Sequence, residues 1–387
     1  MRILVISDVY FPRVNGVSTS IQTFNQELRK LGHEITLLAP DYGSPSANEN
    51  GIYRIPARKV MFDPEDRMMR YRLLLEQGMA LKEKQFDIIH IQTPFLAHYA
   101  GVNLASKLNL PTVETYHTLF EEYLFHYLPL IPDDVLRYVA RHFTRSQCKD
   151  VDTVVVPSSP MLDKLKEYGV NNRMEIIPTG MQMEQFANGD AARFRNKYEI
   201  PPDRPTLVHV GRIAHEKNID FLINVLDEVK RQIPNVLMII AGEGPALTHL
   251  QKMVRKLDLE SNALFVGYLS RADALLDCYK AGDVFVFASR TETQGLVLLE
   301  SMALGTPVVS TAIMGTKDIL KAAKGGLVAE DDLRDFSDKV IRLLTDSQLR
   351  QRLSNEGIEY AATWSASALA EKMQSLYQEL IEHNHKN

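Results

Sequence analysis

The sequence predicts an α/β fold made of two units, each with a parallel sheet packed between helices. Three observations support this prediction: the chain has 387 residues, its hydrophobic content is 45%, and short β-branched runs alternate with longer amphipathic stretches. A chain of this length exceeds what one hydrophobic core usually organises, so two domains are expected. The alternation of strand-like and helix-like segments is typical of parallel pairing.

The first unit is predicted over residues 1–180. It opens on an apolar run that reads as a buried strand rather than a signal peptide, because Asp8 follows it without a cleavage-like pattern of small residues. An amphipathic stretch at 21–31 is the first predicted helix. Apolar or β-branched runs bounded by polar or proline-containing segments are the predicted strands, at 3–6, 35–39, 88–91, 112–115 and 153–156.

The second unit is predicted over residues 181–364. Proline and glycine break the pattern at 178–180, and the polar stretch 182–196 is the predicted linker. Five apolar runs separated by helical stretches are the predicted strands, at 206–210, 236–241, 263–266, 284–288 and 307–310. The last helical stretch, 365–387, is a candidate to pack back on the first unit.

Composition narrows the classes of function. A formal net charge of −5 argues against general affinity for nucleic acid. The two cysteines, Cys148 and Cys278, match no paired metal or redox spacing, so neither a disulfide framework nor a zinc site is implied. No apolar run approaches the roughly 20 residues that cross a bilayer. We therefore expect a cytoplasmic protein without a nucleic-acid partner, either soluble or held on a membrane surface.

Two glutamates separated by seven residues follow a predicted strand. We expect Glu292 in a loop and Glu300 inside the next helix, while amides around Gly295 and Leu296 form a positive helix N-terminus suited to phosphate. Carboxylates there could accept hydrogen bonds from sugar and ribose hydroxyls. Ordinary solvated helix charges are the competing interpretation, but Glu300 has apolar neighbours, among which an unpaired carboxylate would be costly if buried.

A second motif, with Gly211, Arg212 and Lys217, follows the predicted strand 206–210. Arginine offers a forked donor and lysine a mobile point charge, the combination that a diphosphate leaving group needs as negative charge builds on it. An isolated arginine or lysine is more often a surface cation. The position at the carboxyl end of a strand, where open α/β sheets bind ligands, favours the phosphate site here.

A third motif, with Asn15 and Gly16, joins the first strand to the first helix. Glycine lets the backbone come close to a ligand, and the following helix supplies amides. The sequence has no G-x-G-x-x-G, which counts against a nicotinamide enzyme.

Together these motifs resemble those of the retaining glycosyltransferases of family 4. The segment 292–300 is similar to the E-x7-E motif of that family, and Gly211 and Arg212 with Lys217 are similar to its diphosphate-binding pair. Residues 15–17 resemble its glycine loop, although many members have two glycines there, and 242–245 resemble its G-x-G-P turn. The resemblance spans nearly the whole chain. Residues 8–18 and 116–123 most resemble bacterial glycolipid glycosyltransferases, including diacylglycerol glucosyltransferases and related mannosyltransferases.

The resemblance implies a GT-B fold, with two Rossmann-like domains whose sheets face across a cleft, an N-terminal acceptor domain and a C-terminal donor domain. It implies retaining hexosyl transfer from a UDP- or GDP-sugar without a metal or other cofactor, because cations and helix amides replace the divalent ion. By this resemblance Arg212 and Lys217 would hold the diphosphate, Glu292 the transferred sugar and Glu300 the ribose, with the base near Val266. The implied donor-binding residues are Asn15, Gly16, Gly211, Arg212, Lys217, Val266, Glu292, Gly295, Leu296 and Glu300.

His117 follows the predicted strand 112–115, and the family has a precedent for a functional histidine at this position. Its imidazole could hydrogen-bond the sugar or stabilise developing positive charge. For a lone histidine a structural hydrogen bond would be the simpler explanation, but the motif context favours function. The predicted catalytic residues are therefore His117, Arg212, Lys217 and Glu292. We assign no nucleophile, because in retaining enzymes of this type the leaving phosphate is thought to deprotonate the acceptor.

Three segments bear on a membrane partner. Residues 67–75 mix cations with Met, Tyr and Leu at spacings that could place them on opposite faces of one helix, which suits an anionic membrane as well as an ordinary core-packing helix. The aromatic segment 120–131 could line an acyl-chain groove or fill the core. Arg137, Arg141 and Arg145 recur at helical spacing. We expect a lipid acceptor, such as diacylglycerol or a glycolipid, and peripheral attachment to the inner leaflet.

Other functions fit the same motifs. A nucleotide-sugar epimerase of this architecture would consume the donor without a second substrate, and a nucleotide-sugar sensor would bind it without turnover. A transferase could also act on a soluble sugar. The sequence leaves open the choice between UDP and GDP, the hexose, the linkage formed and the oligomeric state.

Overall fold

A computed structural model describes residues 1–43, 50–60, 67–117, 133–270 and 273–386. The chain divides into two compact units. Unit 1 comprises Met1–Gly180 together with Ala366–Asn387, and unit 2 comprises Met181–Ser365. Each unit contains a parallel sheet with alternating helices, which confirms the predicted α/β class.

Unit 1 is built on a seven-stranded sheet in which all neighbouring strands are parallel. A separate antiparallel hairpin, β4–β5, lies outside this sheet. The strands of unit 1 are β1 (Arg2–Ile6), β2 (Glu34–Pro40), β3 (Ile52–Ile55), β4 (Ala57–Lys59), β5 (Arg67–Met69), β6 (Ile88–Ile91), β7 (Thr112–Thr115), β8 (Thr153–Val156) and β9 (Arg173–Ile176). Their order in the sheet is β3-β2-β1-β6-β7-β8-β9.

The helices of unit 1 that precede residue 180 connect these strands. They are α1 (Gly16–Lys30), α2 (Tyr71–Ala80), α3 (Leu96–Leu108), α4 (Asp133–Lys149) and α5 (Ser159–Glu167). The helix α4 buries residues four apart, Leu136, Ala140 and Thr144, which is the spacing of one helical face.

The prediction of one amphipathic helix over residues 67–75 is wrong. Residues 67–69 form β5, in which Met69 pairs with Ala57 and is buried, whereas Met68 is exposed. This alternation is the period of a strand. The amide of Arg70 donates to the carbonyl of Pro56 at 3.0 Å, so pairing with a distant segment holds the backbone up to Arg70, and α2 begins at Tyr71.

Unit 2 contains a six-stranded parallel sheet in the order β12-β11-β10-β13-β14-β15. Its strands are β10 (Thr206–Val210), β11 (Leu237–Ala241), β12 (Ala263–Gly267), β13 (Val284–Phe287), β14 (Val308–Thr311) and β15 (Gly326–Ala329). Its helices are α6 (Ala191–Lys197), α7 (Ile219–Lys230), α8 (Leu247–Lys256), α9 (Ala274–Ala281), α10 (Leu296–Ala303), α11 (Thr316–Leu320), α12 (Leu333–Thr345) and α13 (Ser347–Ala362). With six strands numbered along the unit, this is the 3-2-1-4-5-6 order of a Rossmann fold.

The sequence predicts a linker at the polar stretch 182–196. In the structure this stretch is part of unit 2. It contains a short 3₁₀ turn, Met183–Phe186, and most of α6. The carboxylate of Asp190 accepts from the amides of Ala192 and Arg193 at 2.9 and 3.1 Å and so caps α6. Phe194 packs into the core of unit 2 and so anchors α6. The polar composition of this segment gives no sign of the helix in the sequence.

Alternate residues of the unit 2 strands enter two different apolar clusters. Leu207 and Met238 belong to one cluster, and their chain neighbours Val208 and Ile239 belong to the other. Side chains of a strand alternate between its faces, so the two clusters cover opposite faces of this sheet.

The C-terminal helix, α14 (Ala366–Lys386), packs within unit 1. Met373, Leu376, Tyr377 and Leu380 recur at helical spacing and join the cluster that contains Ile3 of β1. No helix among the described residues is both long enough and apolar enough to cross a membrane.

A buried polar chain ties α14 to the sheet of unit 1. The Tyr377 hydroxyl lies 2.5 Å from His90 Nδ1, and His90 Nε2 lies 2.7 Å from the Thr115 hydroxyl. Burial lowers the pKa of His90 to about 3, helped slightly by His117 nearby. His90 is therefore neutral in the folded protein at any pH near neutrality.

We predict that His90 makes unfolding depend on pH below neutrality. An unfolded histidine titrates near pH 6.5, so the stability from a neutral His90 is complete above that pH and is lost progressively as the pH falls toward 3. One proton taken up on unfolding gives a slope of about 1.4 kcal/mol per pH unit. His90→Gln should reduce the slope of unfolding free energy between pH 4 and 6 by about this amount, measured by urea unfolding with circular dichroism.

The control for this prediction is His385→Gln, because His385 is exposed on α14. This variant should keep the wild-type slope. An unchanged slope in His90→Gln would show that His90 is not held neutral by the fold.

Candidate functional site

The strand order of unit 2 reverses at β10, which pairs with β11 on one side and β13 on the other. At such a reversal the connections from the two neighbouring strands leave toward opposite faces, and open α/β sheets bind ligands in the resulting crevice outside the carboxyl ends. The segment 211–218 follows β10, and the segment 288–295 follows β13. Two of the sequence motifs, 75 residues apart, therefore meet at this sheet edge.

Lys217 and Glu292 form an ion pair at this edge. Lys217 Nζ lies 2.7 Å from Glu292 Oε2, and the two side chains are 20% and 23% exposed. The Asn218 side chain donates to the carbonyl of Ala288 at 3.2 Å, which holds the two segments together. A cation and a carboxylate are thus presented side by side and within reach of solvent.

The segment that carries Arg212 rests against the turn at 242–245. A Cβ atom at Gly242 would lie 1.9 Å from the carbonyl oxygen of Gly211, and one at Gly244 would lie 2.3 Å from that of Ile213. Only glycine allows such an approach of two backbones. The G-x-G-P turn therefore packs directly against the backbone of the segment that carries Arg212.

The Glu292 loop leads directly into α10. Gly295 precedes the helix with a φ of 90°, a left-handed conformation that favours glycine, and Leu296 is the first helical residue. The Glu292 carbonyl accepts from the amide of Gly315 at 2.8 Å, and a Cβ atom at Gly315 would lie 2.1 Å from the carbonyl oxygen of Thr293. The loop that carries Glu292 and leads into α10 is thereby held against the segment that precedes Thr316.

Glu300 lies in the second turn of α10 and is only 5% exposed. The hydroxyl of Tyr279, a fully buried residue of α9, donates to Glu300 Oε2 at 2.7 Å. A buried carboxylate without such a donor would be destabilising. Sequence reasoning missed Tyr279, because a tyrosine in an apolar helix gives no sign of what its hydroxyl contacts.

Val266 lies in the edge strand β12, two positions from β10 in the sheet, and is partly buried. The carbonyl of Gly267 accepts from the amide of Gly242 at 2.9 Å. The strand proposed to lie near the base is therefore connected to the turn that supports Arg212.

Unit 1 has the same reversal at β1, which pairs with β2 and β6. Asn15 caps α1, because its Oδ1 accepts from the amide of Ser18 at 2.8 Å. Gly16 is the first residue of α1, and a Cβ atom there would meet nothing within 4 Å. The space beside Gly16 is therefore open to a ligand.

His117 follows β7, next to β6 in the sheet, and is partly exposed. Its Nε2 lies 2.9 Å from Oε1 of Gln92, the residue that follows β6. Desolvation by the surrounding protein lowers the pKa of His117 to about 4, so its ring is neutral at physiological pH. Sequence reasoning missed Gln92, whose contact depends on the pairing of β6 with β7.

Asp8 follows β1 and is buried. Its Oδ2 accepts from the Thr93 hydroxyl at 2.8 Å and from the amide of Ala97 at 3.0 Å. Burial raises the pKa of Asp8 to about 6, and these hydrogen bonds oppose the shift. Asp8 therefore stabilises the start of α3 at the same sheet edge.

Two family profiles match consecutive parts of the chain. "Glycosyltransferase Family 4" matches residues 14–185, and "Glycosyl transferases group 1" matches residues 190–360. Alpha-monoglucosyldiacylglycerol synthase of Streptococcus pneumoniae is 35% identical over 319 residues, which cover 80% of this chain and 71% of that protein. The chain belongs to the family 4 glycosyltransferases. The enzyme is a hexosyltransferase, as predicted.

The chain is also similar in sequence to a mannosyltransferase and in fold to a solved synthase structure. A GDP-mannose-dependent alpha-mannosyltransferase of Mycobacterium tuberculosis is 27% identical over 346 residues, covering 85% of this glycosyltransferase and 83% of that protein. Sucrose-phosphate synthase of Thermosynechococcus elongatus has a TM-score of 0.80 at 22% identity, with 99% of each chain covered. The predicted GT-B fold is confirmed by this likeness.

A surface depression of this glycosyltransferase lies away from these residues. It has a volume of about 680 Å³, and Asp190, Lys280, Gly282 and Thr306 are among its lining residues. Gly282 precedes β13 and Thr306 precedes β14, so the depression lies at the amino ends of the strands. Lys217 and Glu292 follow the carboxyl ends, and none of the predicted site residues lines it.

Proposed function

We propose that this glycosyltransferase moves a hexose from a UDP- or GDP-sugar to the hydroxyl of a membrane lipid, with retention of configuration and without a metal ion. The observation that carries the proposal is the pair Lys217–Glu292, next to the Arg212 segment at the carboxyl edge of β10 and β13.

The ion pair matches the junction between a sugar and its phosphate. At that junction, hydroxyl groups that donate hydrogen bonds lie next to phosphate oxygens that accept them. Glu292 would accept from a sugar hydroxyl, while Lys217, 2.7 Å away, would donate to the phosphate. Both halves of the donor are then recognised by a pair that is already in place before it binds.

Departure of the nucleotide leaves negative charge on the diphosphate. Arg212 and Lys217 bring two positive charges, and the amides at the start of α10 add a partial positive charge. These groups would stabilise the leaving group without a divalent ion. Retention of configuration is inferred from the family resemblance of the 292–300 motif.

A lipid acceptor is supported by the surface of unit 1. In the described part of the chain 11 large hydrophobic side chains are exposed, and seven of them lie in this unit. Four lie within α2 and α3 or just before them, and three lie on one helix, α4. The seven are Met68, Tyr71, Phe95, Tyr99, Val135, Tyr138 and Val139.

The helix α4 combines apolar and basic groups on its exposed side. Tyr138 is 70% exposed and Val139 is 50% exposed, and the predicted basic stripe of Arg137, Arg141 and Arg145 is exposed on the same helix. Apolar side chains together with cations suit an anionic lipid surface. The aromatic segment 120–131, which the sequence also offers for lipid contact, lies outside the described residues.

The alpha-monoglucosyldiacylglycerol synthase relative is named for a diacylglycerol glycolipid, and the mannosyltransferase relative for GDP-mannose. These names support a lipid acceptor and leave both UDP and GDP donors to be tested. The enzyme would then work as a peripheral protein on the inner leaflet.

A donor and acceptor screen tests the proposed function. UDP-glucose, UDP-galactose and GDP-mannose would each be supplied with vesicles of phosphatidylglycerol that contain diacylglycerol, a monoglycosyl lipid or neither, and with soluble sugars. We expect one donor to be consumed only with a lipid hydroxyl present, to give an α-linked product, and to react equally well in EDTA. Equal transfer to soluble sugars would contradict the lipid acceptor, and activity restored only by manganese or magnesium would contradict metal independence.

We predict that Arg212→Ala and Lys217→Ala each weaken donor binding without loss of fold. A hydrogen bond to a charged group is worth about 1.5–3 kcal/mol, so each change should raise the dissociation constant roughly 10- to 150-fold. Titration calorimetry with the nucleotide diphosphate measures this. Arg231→Ala, which removes a 65% exposed cation of the same unit, is the matched control. Wild-type affinity in both site variants would refute the diphosphate assignment.

We predict that the basic stripe of α4 governs attachment to anionic vesicles. Each cation near such a surface contributes about 1 kcal/mol, so changing Arg137, Arg141 and Arg145 to Gln should weaken binding about a hundredfold at low salt. Added salt should remove much of the difference by screening. Vesicle cosedimentation measures both effects.

The control changes three exposed cations of α8 in unit 2, Lys252, Arg255 and Lys256, to Gln. It removes the same charge from the other unit and should leave vesicle binding nearly unchanged. Equal losses in the two triple variants would mean that net charge, and not the α4 surface, determines attachment.

A further inference from the structure

We propose that Gln92 is a positioning residue that fixes the tautomer of His117, so that Nδ1 of this ring accepts a hydrogen bond from a substrate hydroxyl. The inference rests on the proposed function in one respect, because it takes His117 to contact a substrate. Its first test needs no turnover and can therefore fail or succeed independently.

The geometry defines which ring nitrogen carries the hydrogen. His117 Nε2 lies 2.9 Å from Gln92 Oε1, a carbonyl oxygen that can only accept. With the Gln92 amide oriented so that Oε1 faces the ring, Nε2 is the donor, and a neutral imidazole has only one N–H group. The lone pair is then left on Nδ1, and the ring offers its other side as an acceptor.

Both partners are held by the sheet. The backbone amide of Gln92 donates to the carbonyl of Ile6 in β1 at 2.9 Å, and Gln92 as a whole is only 4% exposed. The amide of Tyr116, which precedes His117, donates to the carbonyl of Val155 in β8 at 2.8 Å. The contact between the two side chains is therefore set by backbone pairing on both sides and does not depend on a flexible surface loop.

Burial keeps the ring neutral. On β6, the neighbouring His90 is itself neutral and brings no charge beside the ring. The strand β8 on the other side of β7 contains only Thr and Val residues. Asp8, beyond β6 on the end of β1, directs its carboxylate to Thr93 and the start of α3. Desolvation then lowers the pKa of His117 to about 4.

The tautomer decides which ligand chemistry fits. A neutral ring that accepts through Nδ1 binds an O–H group and repels a phosphate oxygen, which can only accept. His117 is thereby suited to a sugar hydroxyl or an acceptor hydroxyl. A glutamine is suited to this role because its carbonyl orients the ring but brings no negative charge, which would favour the protonated form of the ring.

The first test is nuclear magnetic resonance of the full chain labelled with [15N]histidine. The ring signals of His117 are assigned by their loss in His117→Gln, and their chemical shifts separate the two neutral tautomers. We expect the Nε2–H tautomer in the wild type and a mixture, or the other tautomer, in Gln92→Leu. The Nδ1–H tautomer in the wild type, or an unchanged tautomer in Gln92→Leu, would overturn the proposal.

The second test is a pH profile of Gln92→Glu, which keeps an acceptor at the same place but adds charge. A carboxylate beside the ring favours the protonated form, so the pKa of His117 should rise by about one unit or more. Activity that needs neutral His117 should then be lost at a correspondingly higher pH as the solution is acidified. A profile identical to the wild type would overturn the proposal.

Kinetics separates positioning from folding. Gln92→Leu should lower kcat about tenfold or more while the donor KM stays within about twofold, because Arg212 and Lys217, the cations proposed to bind the diphosphate, lie in unit 2. Wild-type kcat in a folded Gln92→Leu protein would also overturn the role. If Gln92→Leu does not fold, the wild-type tautomer and the Gln92→Glu profile still decide the question.

The chain offers a matched control. His33 Nε2 lies 2.8 Å from Gln374 Oε1, the same kind of contact, where α14 packs on unit 1. Gln374→Glu and Gln374→Leu should leave both kcat and the pH profile of transfer unchanged. If the proposed function itself is wrong, the wild type will transfer nothing to a lipid, whereas the tautomer of His117 will still be read from its spectrum.

Discussion

Parallel pairing of one central strand with neighbours on both sides is the constraint on which the candidate site depends. In unit 2, β10 bonds to β11 and β13, and in unit 1, β1 bonds to β2 and β6. Parallel strands end at the same sheet edge, and right-handed crossovers send the connections that leave the central strand and its neighbour toward opposite faces. Side chains far apart in sequence, such as Lys217 and Glu292, are thereby delivered to one edge without any local signal for their contact.

The sheet brings the loops to one edge, and close packing of backbone against backbone then determines how each loop lies there. Gly242 and Gly244 let the Arg212 segment lie against a neighbouring turn, and Gly315 lets the Glu292 loop lie against the start of α11. A methyl group at any of the three would overlap a carbonyl oxygen of the loop it supports. The backbone of the loops that carry the charged side chains is therefore positioned with the help of residues that have no side chain.

Sequence patterns predicted the central strands and the edge strand β12 well, but missed the other edge strands. The bounds of β6, β7 and β8 match the predicted ranges, because at least three of the four residues in each of these buried strands are β-branched. The strands β3, β9 and β15, each at a sheet edge, were missed, since an edge strand such as Arg173–Ile176 mixes charged residues with apolar ones. Site motifs were visible as residue types, but Tyr279 with Glu300 and Gln92 with His117 are contacts between elements, which no spacing along the chain encodes.

The two sheet edges differ in charge for a physical reason that bears on how the proposed reaction is divided. At the edge of unit 2, Lys217 and Glu292 form an ion pair and keep about a fifth of their side-chain surface in solvent. At the edge of unit 1, desolvation holds His117 neutral and raises the pKa of Asp8 toward neutrality. A diphosphate needs cations, whereas a hydroxyl needs only hydrogen-bond partners. In the proposed reaction, the anionic donor would therefore bind at the edge of unit 2, and the uncharged acceptor hydroxyl at the edge of unit 1.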